Sequence, residues 1–340
     1  MQSTQATQAT DDLTMTTAAN DTPAVSIVVP AYNVSRYIEN TLDSILAQTF
    51  TDYEIIVVND GAPDTEELER VLEPYRERIV YLKQENRGLS GARNTGIRAA
   101  RAPLISLLDG DDMWEPEFLS VMLDQLRRDS SVDMLYCDAL YFGDTPEAGH
   151  AFSEFNPTTG EVTFERLLTQ ECNVLSSSTV ARRELLLRAG LFDERLRSSE
   201  DFDMWLRVLK AGGRIAYLGR PLMRYRCHTE SLSADPVWMC RHILRVLEKM
   251  EQTFALTDAE AAALRRQRRR YEAELHFNEG KRAFFAGDAE TAIAGLSKAN
   301  ALLPSRKLAI ALWLLRLAPG VLLRAYNLRD RFYFRADTKF

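Results

Sequence analysis

The sequence predicts an α/β fold: a mostly parallel sheet with helices on both faces, followed by an all-α C-terminal region. From residue 25 onward, short β-branched runs alternate with segments of helical periodicity. After about residue 236 the strand pattern stops, and only helical and charged segments follow. Because parallel strands are joined by crossover helices, the alternation favours a parallel sheet covered on both faces. The 340 residues, 46% of them hydrophobic, are enough for one large or two ordinary globular domains.

The predicted elements follow one another with short connections. The predicted strands are residues 25–30, 53–58, 79–84, 104–108 and 134–142, with a late strand at 214–218. The predicted helices between the early strands are residues 36–48, 65–78, 89–101 and 118–128. Residues 143–160 are predicted to be rich in loops.

Composition and charge exclude several classes of partner and compartment. The net charge is −7, from 42 basic and 49 acidic residues, which argues against nucleic acid as a partner. The four cysteines show no CxxC spacing, so we expect reduced thiols in a cytoplasmic protein. Residues 1–23 lack the basic and apolar regions of a signal peptide and are predicted to be a disordered tail. No stretch reaches the ~18 uninterrupted apolar residues that span a bilayer.

Three carboxylates follow the fourth predicted strand. Asp109, Asp111 and Asp112 lie within four positions, and Gly110 among them permits a sharp turn. Adjacent negative charges repel one another, so such a cluster favours a hard cation between them. Carboxylate oxygens suit Mg²⁺ or Mn²⁺ and disfavour zinc. For this tetrapeptide alone, the alternative is a solvated acidic turn.

Polar loops also follow the three preceding strands. They are residues 30–33 (PAYN), residues 59–61 (NDG) and residues 86–94 (NRGLSGARN). The carboxyl ends of parallel strands meet at one edge of an open sheet, which is where ligands bind. A carboxylate such as Asp60 accepts a hydrogen bond from the ring N–H of a nucleotide base, although Asn-Asp-Gly also fits a helix-capping turn. We therefore expect a nucleotide at this edge.

Six motifs, in order, resemble those of family 2 glycosyltransferases with the GT-A fold. They are VSIVVPAYN, VVNDG, NRGLSGARNTGI, LLDGDDMWEP, SEDFDMWLR and YRCHTESLS, spread over residues 25–233. The resemblance implies a nucleotide-diphosphate sugar donor, a saccharide or lipid-linked saccharide acceptor, and inversion at the anomeric carbon. The chain departs from the family at Asn59, where a second aspartate is more common, and this puts the donor preference in question.

The resemblance also implies roles for individual residues. Asp201 would be the general base, supported by Glu200, because an acceptor hydroxyl must lose its proton as it attacks. The alternative for this segment is an ordinary helix start capped by Ser199. Nucleotide-sugar binding is implied for Pro30, Ala31, Tyr32, Asn33, Asp60, Gly88, Arg93, Asn94, Asp109 and Asp111. Two of the three residues Asp111, Asp112 and Asp109 would hold the metal ion, with the third orienting its neighbours and His228 as a further candidate.

The sequence allows two interpretations of the role of Arg93. It begins a predicted helix at the ligand edge and could contact the phosphate or sugar of the donor. It could instead form an ion pair with the acidic turn and hold it in shape.

The chain is expected to divide into three parts. These are the disordered tail at 1–23, a GT-A domain at 24–235, and a helical region at 236–340. In the last, small and helix-contact residues at about 272–304 have the spacing of one tetratricopeptide-like unit, although a plain helical hairpin is the alternative. Residues 305–326 are apolar with basic ends, which suits either a core helix or an amphipathic segment on an anionic membrane surface.

The sequence predicts a metal-dependent inverting glycosyltransferase that builds a bacterial-type surface polysaccharide or glycolipid. It would be cytoplasmic, or peripheral on the inner face of the membrane. A sugar-phosphate nucleotidyltransferase is an alternative, but the loop after the first strand has no basic residue before Arg36 to grip a triphosphate. A catalytically degenerate nucleotide-sugar-binding or scaffold protein is another. It would not need both the acidic turn and Asp201.

Overall fold

The fold is built around one mixed sheet. The computed structural model describes residues 22–228 and 235–317, so nearly all of the predicted tail and the end of the 305–326 segment lie outside the described residues. In the described part the strands are β1 (Val25–Ala31), β2 (Tyr53–Asn59), β3 (Ile79–Lys83), β4 (Leu104–Leu107), β5 (Met113–Trp114), β6 (Met134–Gly143), β7 (Thr179–Arg182) and β8 (Ile215–Cys227). They form one sheet in the order β3-β2-β1-β4-β7-β6-β8-β5.

Helices cover both faces of this sheet. They are α1 (Ile38–Leu46), α2 (Thr65–Leu72), α3 (Gly88–Ala99), α4 (Phe118–Arg128), α5 (Phe152–Phe155), α6 (Phe164–Leu168), α7 (Arg183–Arg188), α8 (Glu200–Lys210), α9 (Pro236–Thr253), α10 (Asp258–Phe285), α11 (Ala289–Leu302) and α12 (Arg306–Leu317). All seven residues of β1 are buried, as expected for a central strand between two helical layers. Along β1, Val28 packs in one apolar cluster, whereas Ile27 and Val29 pack in the other. The predicted α/β class with its helical C-terminal region is confirmed.

The sheet departs from the prediction at β7 and β8. β1 to β4 are parallel, but β7 runs antiparallel between β4 and β6. β8 continues to Cys227, well past the predicted end at residue 218. A register shift opposite Asp138 and a central Gly219-Arg220-Pro221 stretch hide this strand from pattern analysis, because glycine and proline usually interrupt strands. The extra length of β8 brings the chain back to the ligand edge.

The C-terminal helices belong to two different cores. α9 and the first part of α10 share a cluster with Met204 and Trp205 of α8, through residues such as Val246 and Leu264. α11 and α12 form a separate small cluster around Leu296. The change to an all-helical chain does begin at residue 236, but the packing joins α9 to the sheet domain.

The hairpin between α10 and α11 depends on glycine. A Cβ at Gly280 would lie 2.9 Å from the backbone nitrogen of Leu296, and a Cβ at Gly295 would lie 3.0 Å from the Cα of Gly280. Both helices therefore touch along their backbones. This fits the small-residue spacing in the sequence, while its identity as a tetratricopeptide-like unit stays a prediction. Within the described ranges, no helix combines the length and apolar character needed to cross a bilayer.

Candidate active site

The acidic turn after β4 packs tightly against the end of β1. The N–H of Asp112 donates to the carbonyl of Asp109 over 3.0 Å, which closes the turn. A Cβ at Gly110 would lie 2.9 Å from Val34 Cγ2 and 3.1 Å from the Pro30 carbonyl oxygen. Only glycine lets the turn lie this close to β1.

A buried arginine joins the acidic turn to the start of α8. The guanidinium of Arg93, 2% exposed, donates to both carboxylate oxygens of Asp109 at 2.8 and 3.0 Å. Its other terminal nitrogen donates to Glu200 at 2.7 Å. Burial alone lowers the pKa of Arg93, but the surrounding carboxylates outweigh burial and raise it. The ion pair between Arg93 and the acidic turn is therefore present, and it brings the ends of β4 and α8 together.

Asp201 lies in the first turn of α8, beside this arginine. Its carboxylate accepts the N–H of Phe202 at 2.7 Å. Burial raises the pKa of Asp201 to about 7; the charge of Glu200 adds to the shift and that of Arg93 opposes it. A carboxyl group with a pKa near neutrality is suited to accept a proton during a reaction.

The alternative interpretation of this segment, an ordinary helix start capped by Ser199, is wrong about the cap. Ser199 has a left-handed backbone (φ 57°), and its hydroxyl makes no capping hydrogen bond. The hydroxyl oxygen is buried without a partner among the described residues. A non-glycine residue in this conformation costs roughly 1–2 kcal/mol, so tertiary packing, not capping, fixes where α8 begins.

The other two aspartates of the turn contact the end of β8. Asp111 Oδ2 lies 3.0 Å from His228 Nε2, and Asp112 accepts the backbone N–H of Arg226 at 2.9 Å. The Arg226 side chain donates in turn to the carbonyl of Asp111 at 2.7 Å. Burial, followed by the charges of the neighbouring aspartates, raises the pKa of both the Asp111 and Asp112 carboxyls. A cation among these groups would relieve the repulsion.

The sequence leaves open which two of the three aspartates would hold an ion, and the structure gives each of them a different partner. Both oxygens of Asp109 bind Arg93, whereas Asp111 and Asp112 contact β8. Over residues 22–228 and 235–317, no three Asp, Glu, His or Cys side chains are placed to hold a metal ion. Each of the three carboxylates has its own hydrogen-bond partner.

Asp111 and His228 are the pair that fits a divalent ion. Their contacting atoms lie 3.0 Å apart, so one ion could bridge them. His228 Nδ1 is buried and has no hydrogen-bond partner in the described part of the chain. Two protein ligands suffice for Mg²⁺, which completes its shell with water and substrate phosphates.

Asp60 follows β2 and is buried at the same edge. Its Oδ1 accepts hydrogen bonds from Gln84 Nε2 at 2.6 Å and from the Arg87 N–H at 2.9 Å. The Thr95 hydroxyl donates to Gln84 Oε1 at 2.6 Å, which fixes the orientation of the amide. Oδ2 receives no hydrogen bond from the described residues and can accept one from a ligand. Gln84 is not among the predicted site residues, although its position directly after β3 places it at the ligand edge.

Asn59 is the residue at which the chain departs from the family pattern. Its side chain is fully buried, and its polar atoms form hydrogen bonds within the protein. Its amide nitrogen donates to the Tyr81 hydroxyl at 2.8 Å and to the Thr65 hydroxyl at 3.0 Å. Its oxygen accepts the Ala62 N–H at 2.9 Å. The bonds to Ala62 and Thr65 hold the turn between β2 and α2, and the bond to Tyr81 ties that turn to β3.

The loop after β1 lies beside that turn. The carbonyl of Ala31, at the end of β1 after Pro30, accepts the N–H of Asp60 at 3.1 Å. Asn33 has φ 56° and donates its N–H to Asp64 at 3.1 Å. These contacts leave the Tyr32 side chain exposed (51%) next to the Asp60 loop.

The two remaining predicted donor residues lie on α3. Gly88 begins the helix with φ 77°, and a Cβ there would lie 2.6 Å from Arg197 Nη1. The amide nitrogen of Asn94 donates to the Phe192 carbonyl at 2.9 Å and to Glu194 at 3.1 Å, and its oxygen accepts the Phe192 N–H at 2.9 Å. Asn94 is buried, and both of its polar groups already hold the loop before α8 against α3.

Sequence analysis also missed Ser177, which precedes β7. Its hydroxyl accepts the Asp109 N–H at 3.0 Å and also bonds the Asp112 carboxylate. Its carbonyl accepts the indole N–H of Trp114 at 2.7 Å. Ser177 thus holds the acidic turn at three points. Its neighbours Ser176 and Ser178 are also buried, but a run of serines in a sequence does not reveal such contacts.

A family model matches the part of the chain that contains most of these residues. The model for glycosyl transferase family 2 matches residues 26–188, a range that contains Asp60, Arg93 and the acidic turn. Over these residues, slightly less than half of the chain, the sequence is similar to glycosyl transferase family 2. Asp201 and His228 lie beyond the matched range, so the family 2 match does not itself assign their roles.

Relatives named as glycosyltransferases match a similar part of the chain. A protein named as the uncharacterized glycosyltransferase EpsJ of Bacillus subtilis (strain 168) is 34% identical over 226 residues, covering 63% of this chain and 64% of that protein. The glycosyltransferase GlyA of Streptococcus pneumoniae is 30% identical over 246 residues, covering 68% of this chain and 34% of that protein. The chain thus spans less than two thirds of the length of these relatives.

Solved structures share the fold of this chain along nearly its whole length. A mannosyltransferase of Pyrobaculum calidifontis, solved with GDP-Man and Mn²⁺, is 21% identical with a TM-score of 0.59, covering 92% of this chain and 85% of that one. Residues 1–349 of TarS from S. aureus, solved with UDP-GlcNAc, are 22% identical with a TM-score of 0.56, covering 93% and 94%. At these identities the likeness establishes the GT-A fold.

Proposed function

We propose that this chain is an inverting glycosyltransferase of family 2 that moves a sugar from a nucleotide-diphosphate donor to a hydroxyl acceptor. One observation carries the proposal: Arg93 binds both Asp109 and Glu200, so the acidic turn and the first turn of α8 meet at one place. A carboxyl group with a pKa of about 7, Asp201, lies there. An ion pair that served stability alone would not need this neighbour.

The proposed reaction couples one proton transfer to one displacement at carbon. The acceptor hydroxyl gives its proton to the Asp201 carboxylate while its oxygen forms a bond to the anomeric carbon. The bond from that carbon to the phosphate oxygen breaks, and the nucleoside diphosphate leaves with the bonding electrons. Attack from the face opposite the leaving group inverts the anomeric configuration. Glu200, bound to Arg93, keeps the first turn of α8 in place.

The donor would lie along the carboxyl ends of β1, β2 and β4. Asp60 Oδ2 would accept the ring N–H of the base, and the exposed Tyr32 would lie beside the base and ribose. A Mg²⁺ or Mn²⁺ ion held by Asp111 and His228 would supply positive charge to the departing diphosphate.

Complexes of the fold neighbours support a nucleotide-sugar donor. TarS was solved with UDP and with UDP-GlcNAc, and the mannosyltransferase with GDP-Man and Mn²⁺. For this chain we propose a saccharide or lipid-linked saccharide acceptor, in the synthesis of a bacterial-type surface polysaccharide or glycolipid. A lipid-linked acceptor would place the protein in the cytoplasm at the inner face of the membrane.

The proposal is tested by ligand-induced stabilisation of the full chain. UDP-, GDP- and dTDP-sugars are added with and without Mn²⁺, and Tm is measured. A ligand that binds only the native state stabilises it by about 2.7 kcal/mol at 100 times its Kd. We expect at least one nucleotide sugar to raise Tm, with a larger shift when Mn²⁺ is present.

A matched pair of variants ties this shift to the base contact. Asp60→Asn keeps an oxygen for Gln84 and the Arg87 N–H but puts an N–H₂ donor where Oδ2 was, so the shift should disappear. Lys83→Gln, on the exposed residue next to Gln84, should leave the shift unchanged. Stabilisation without turnover on any acceptor, water included, would indicate a binding protein. Conversion of a sugar phosphate with a nucleoside triphosphate would indicate a nucleotidyltransferase.

A further inference from the structure

Charge is segregated along the C-terminal part of the sequence. From Thr291 to Arg329 there is no acidic residue, although the whole chain has a net charge of −7. The six basic residues in this stretch are Lys298, Arg306, Lys307, Arg316, Arg324 and Arg329. Three of them belong to α12 and are exposed.

α12 carries two apolar stripes. Leu308, Leu312 and Leu315 pack in the small core with α11. Ile310, Trp313 and Leu317 follow each other at three- and four-residue spacing, and they are 61%, 61% and 64% exposed. Large apolar side chains at this spacing on a helix normally face a covering layer.

We propose that the stripe formed by Ile310, Trp313, Leu314 and Leu317, the α12 stripe, docks on a membrane surface that contains anionic lipid. The proposal deepens the lipid-side part of the proposed function and does not depend on the transfer reaction. The 12 described residues of α12 span about 18 Å, short of a bilayer core of about 30 Å, so we place this part of the helix in the plane of the interface.

Charge complementarity selects anionic lipid as the occupant. Arg306 and Lys307 at one end of α12 and Arg316 near the other attract a negative surface, while a tryptophan such as Trp313 suits the interface between headgroups and acyl chains. Direct pairing of two α12 stripes would instead bring six of these positive charges together. Lipid satisfies both the apolar stripe and its charges.

The test is co-sedimentation of the full chain with vesicles. Vesicles of phosphatidylglycerol mixed with phosphatidylcholine are compared with vesicles of phosphatidylcholine alone. We expect binding to the anionic vesicles, and weaker binding at high salt. The triple variant Ile310→Ser, Trp313→Ser, Leu317→Ser should bind these vesicles at least about tenfold more weakly, because the apolar contact is lost.

Controls separate the α12 stripe from general surface effects. Val80→Ser with Leu187→Ser changes two exposed apolar side chains elsewhere and should bind like the unchanged chain. Arg306→Gln with Lys307→Gln should weaken binding to anionic vesicles only. All variants should keep their Tm, because the substituted side chains are exposed.

Three outcomes would overturn the inference. One is equal vesicle binding by the triple serine variant, and another is loss of binding only when the chain is truncated after Leu317. The third is a dimer in lipid-free solution that the triple variant dissociates, since the stripe would then join two copies. Stabilisation by nucleotide sugars would persist in each case, so failure here is distinct from failure of the proposed reaction.

Discussion

The acidic turn after β4 and the first turn of α8 have similar sequences but different electrostatics. In the turn, Asp109 binds Arg93 through both oxygens and Asp111 contacts His228. In the helix, Glu200 binds the same arginine, whereas Asp201 accepts only the N–H of its neighbour Phe202 within the described residues.

The hydrogen-bond and ion-pair partners of a carboxylate, more than its residue type, therefore decide its chemical role. Arg93 binds Asp109 with two hydrogen bonds, which hold this carboxylate in position. Asp201 has a single backbone donor, and burial together with the adjacent Glu200 raises its pKa to about 7. One side of Arg93 is therefore suited to positioning, and the other to proton transfer.

Removing the proton acceptor should have the largest effect. We expect Asp201→Asn to lower the transfer rate about 10²–10⁴-fold, because the acceptor hydroxyl then has no base. The stabilisation of the protein by the donor should be retained. Glu200→Gln, which keeps a side-chain oxygen for Arg93, should lose less activity, and an equal loss in both variants would remove the distinction between the two acids.

Removing the shared arginine should chiefly cost stability. Arg93→Met leaves Asp109 and Glu200 without their buried cation, which we expect to lower the free energy of unfolding by about 3–5 kcal/mol. Urea denaturation measures this change. Arg93→Lys restores the charge but not the pair of guanidinium hydrogen bonds, so the stability of this variant should lie between that of the unchanged chain and that of Arg93→Met. A stability loss below 1 kcal/mol for Arg93→Met would argue against the bridge.

The pH dependence of transfer should follow Asp201. Its pKa is raised to about 7, and only the deprotonated form accepts a proton, so kcat/KM should fall about tenfold per pH unit below pH 7 and level off above it. A profile that is flat from pH 5 to 8 would contradict Asp201 as the base.

Stability offers an independent check of the same shift. Because the folded pKa of Asp201 lies above its ordinary value of 3.8, the unfolded chain releases this proton first as the pH rises. The free energy of unfolding should therefore decline between about pH 4 and 7 more steeply than in Asp201→Asn.

The smallest predicted effect concerns the support behind α8. Lys249 of α9 binds Asp203 of α8 at 2.6 Å and Asp193 at 2.8 Å, so a helix after the motif-bearing segment holds the first turn of α8. Lys249→Met should lower the free energy of unfolding by about 1–3 kcal/mol, and Lys249→Arg should recover part of it. Lys307→Met on exposed α12 is the matched control and should change little.

Much of the site could be predicted from the sequence because its residues directly follow strands. The positions of Asp60 and of the acidic turn depend on where β2 and β4 end, and hydrophobic patterning gives those ends to within a residue or two. The contacts of Gln84, Ser177 and Lys249 could not be predicted in this way, since their partners lie on other elements.

The amino-acid sequence specifies the α/β class, the ligand edge and the acids that lie there, because periodicity and strand ends are local properties. Which partner each acid contacts depends on the fold as a whole. Asp109 meets Arg93 from 16 residues away and Asp111 meets His228 from 117 residues away, so these contacts depend on long-range packing. The three aspartates of the acidic turn have different partners for the same reason, since each contacts the group that folding brings to it.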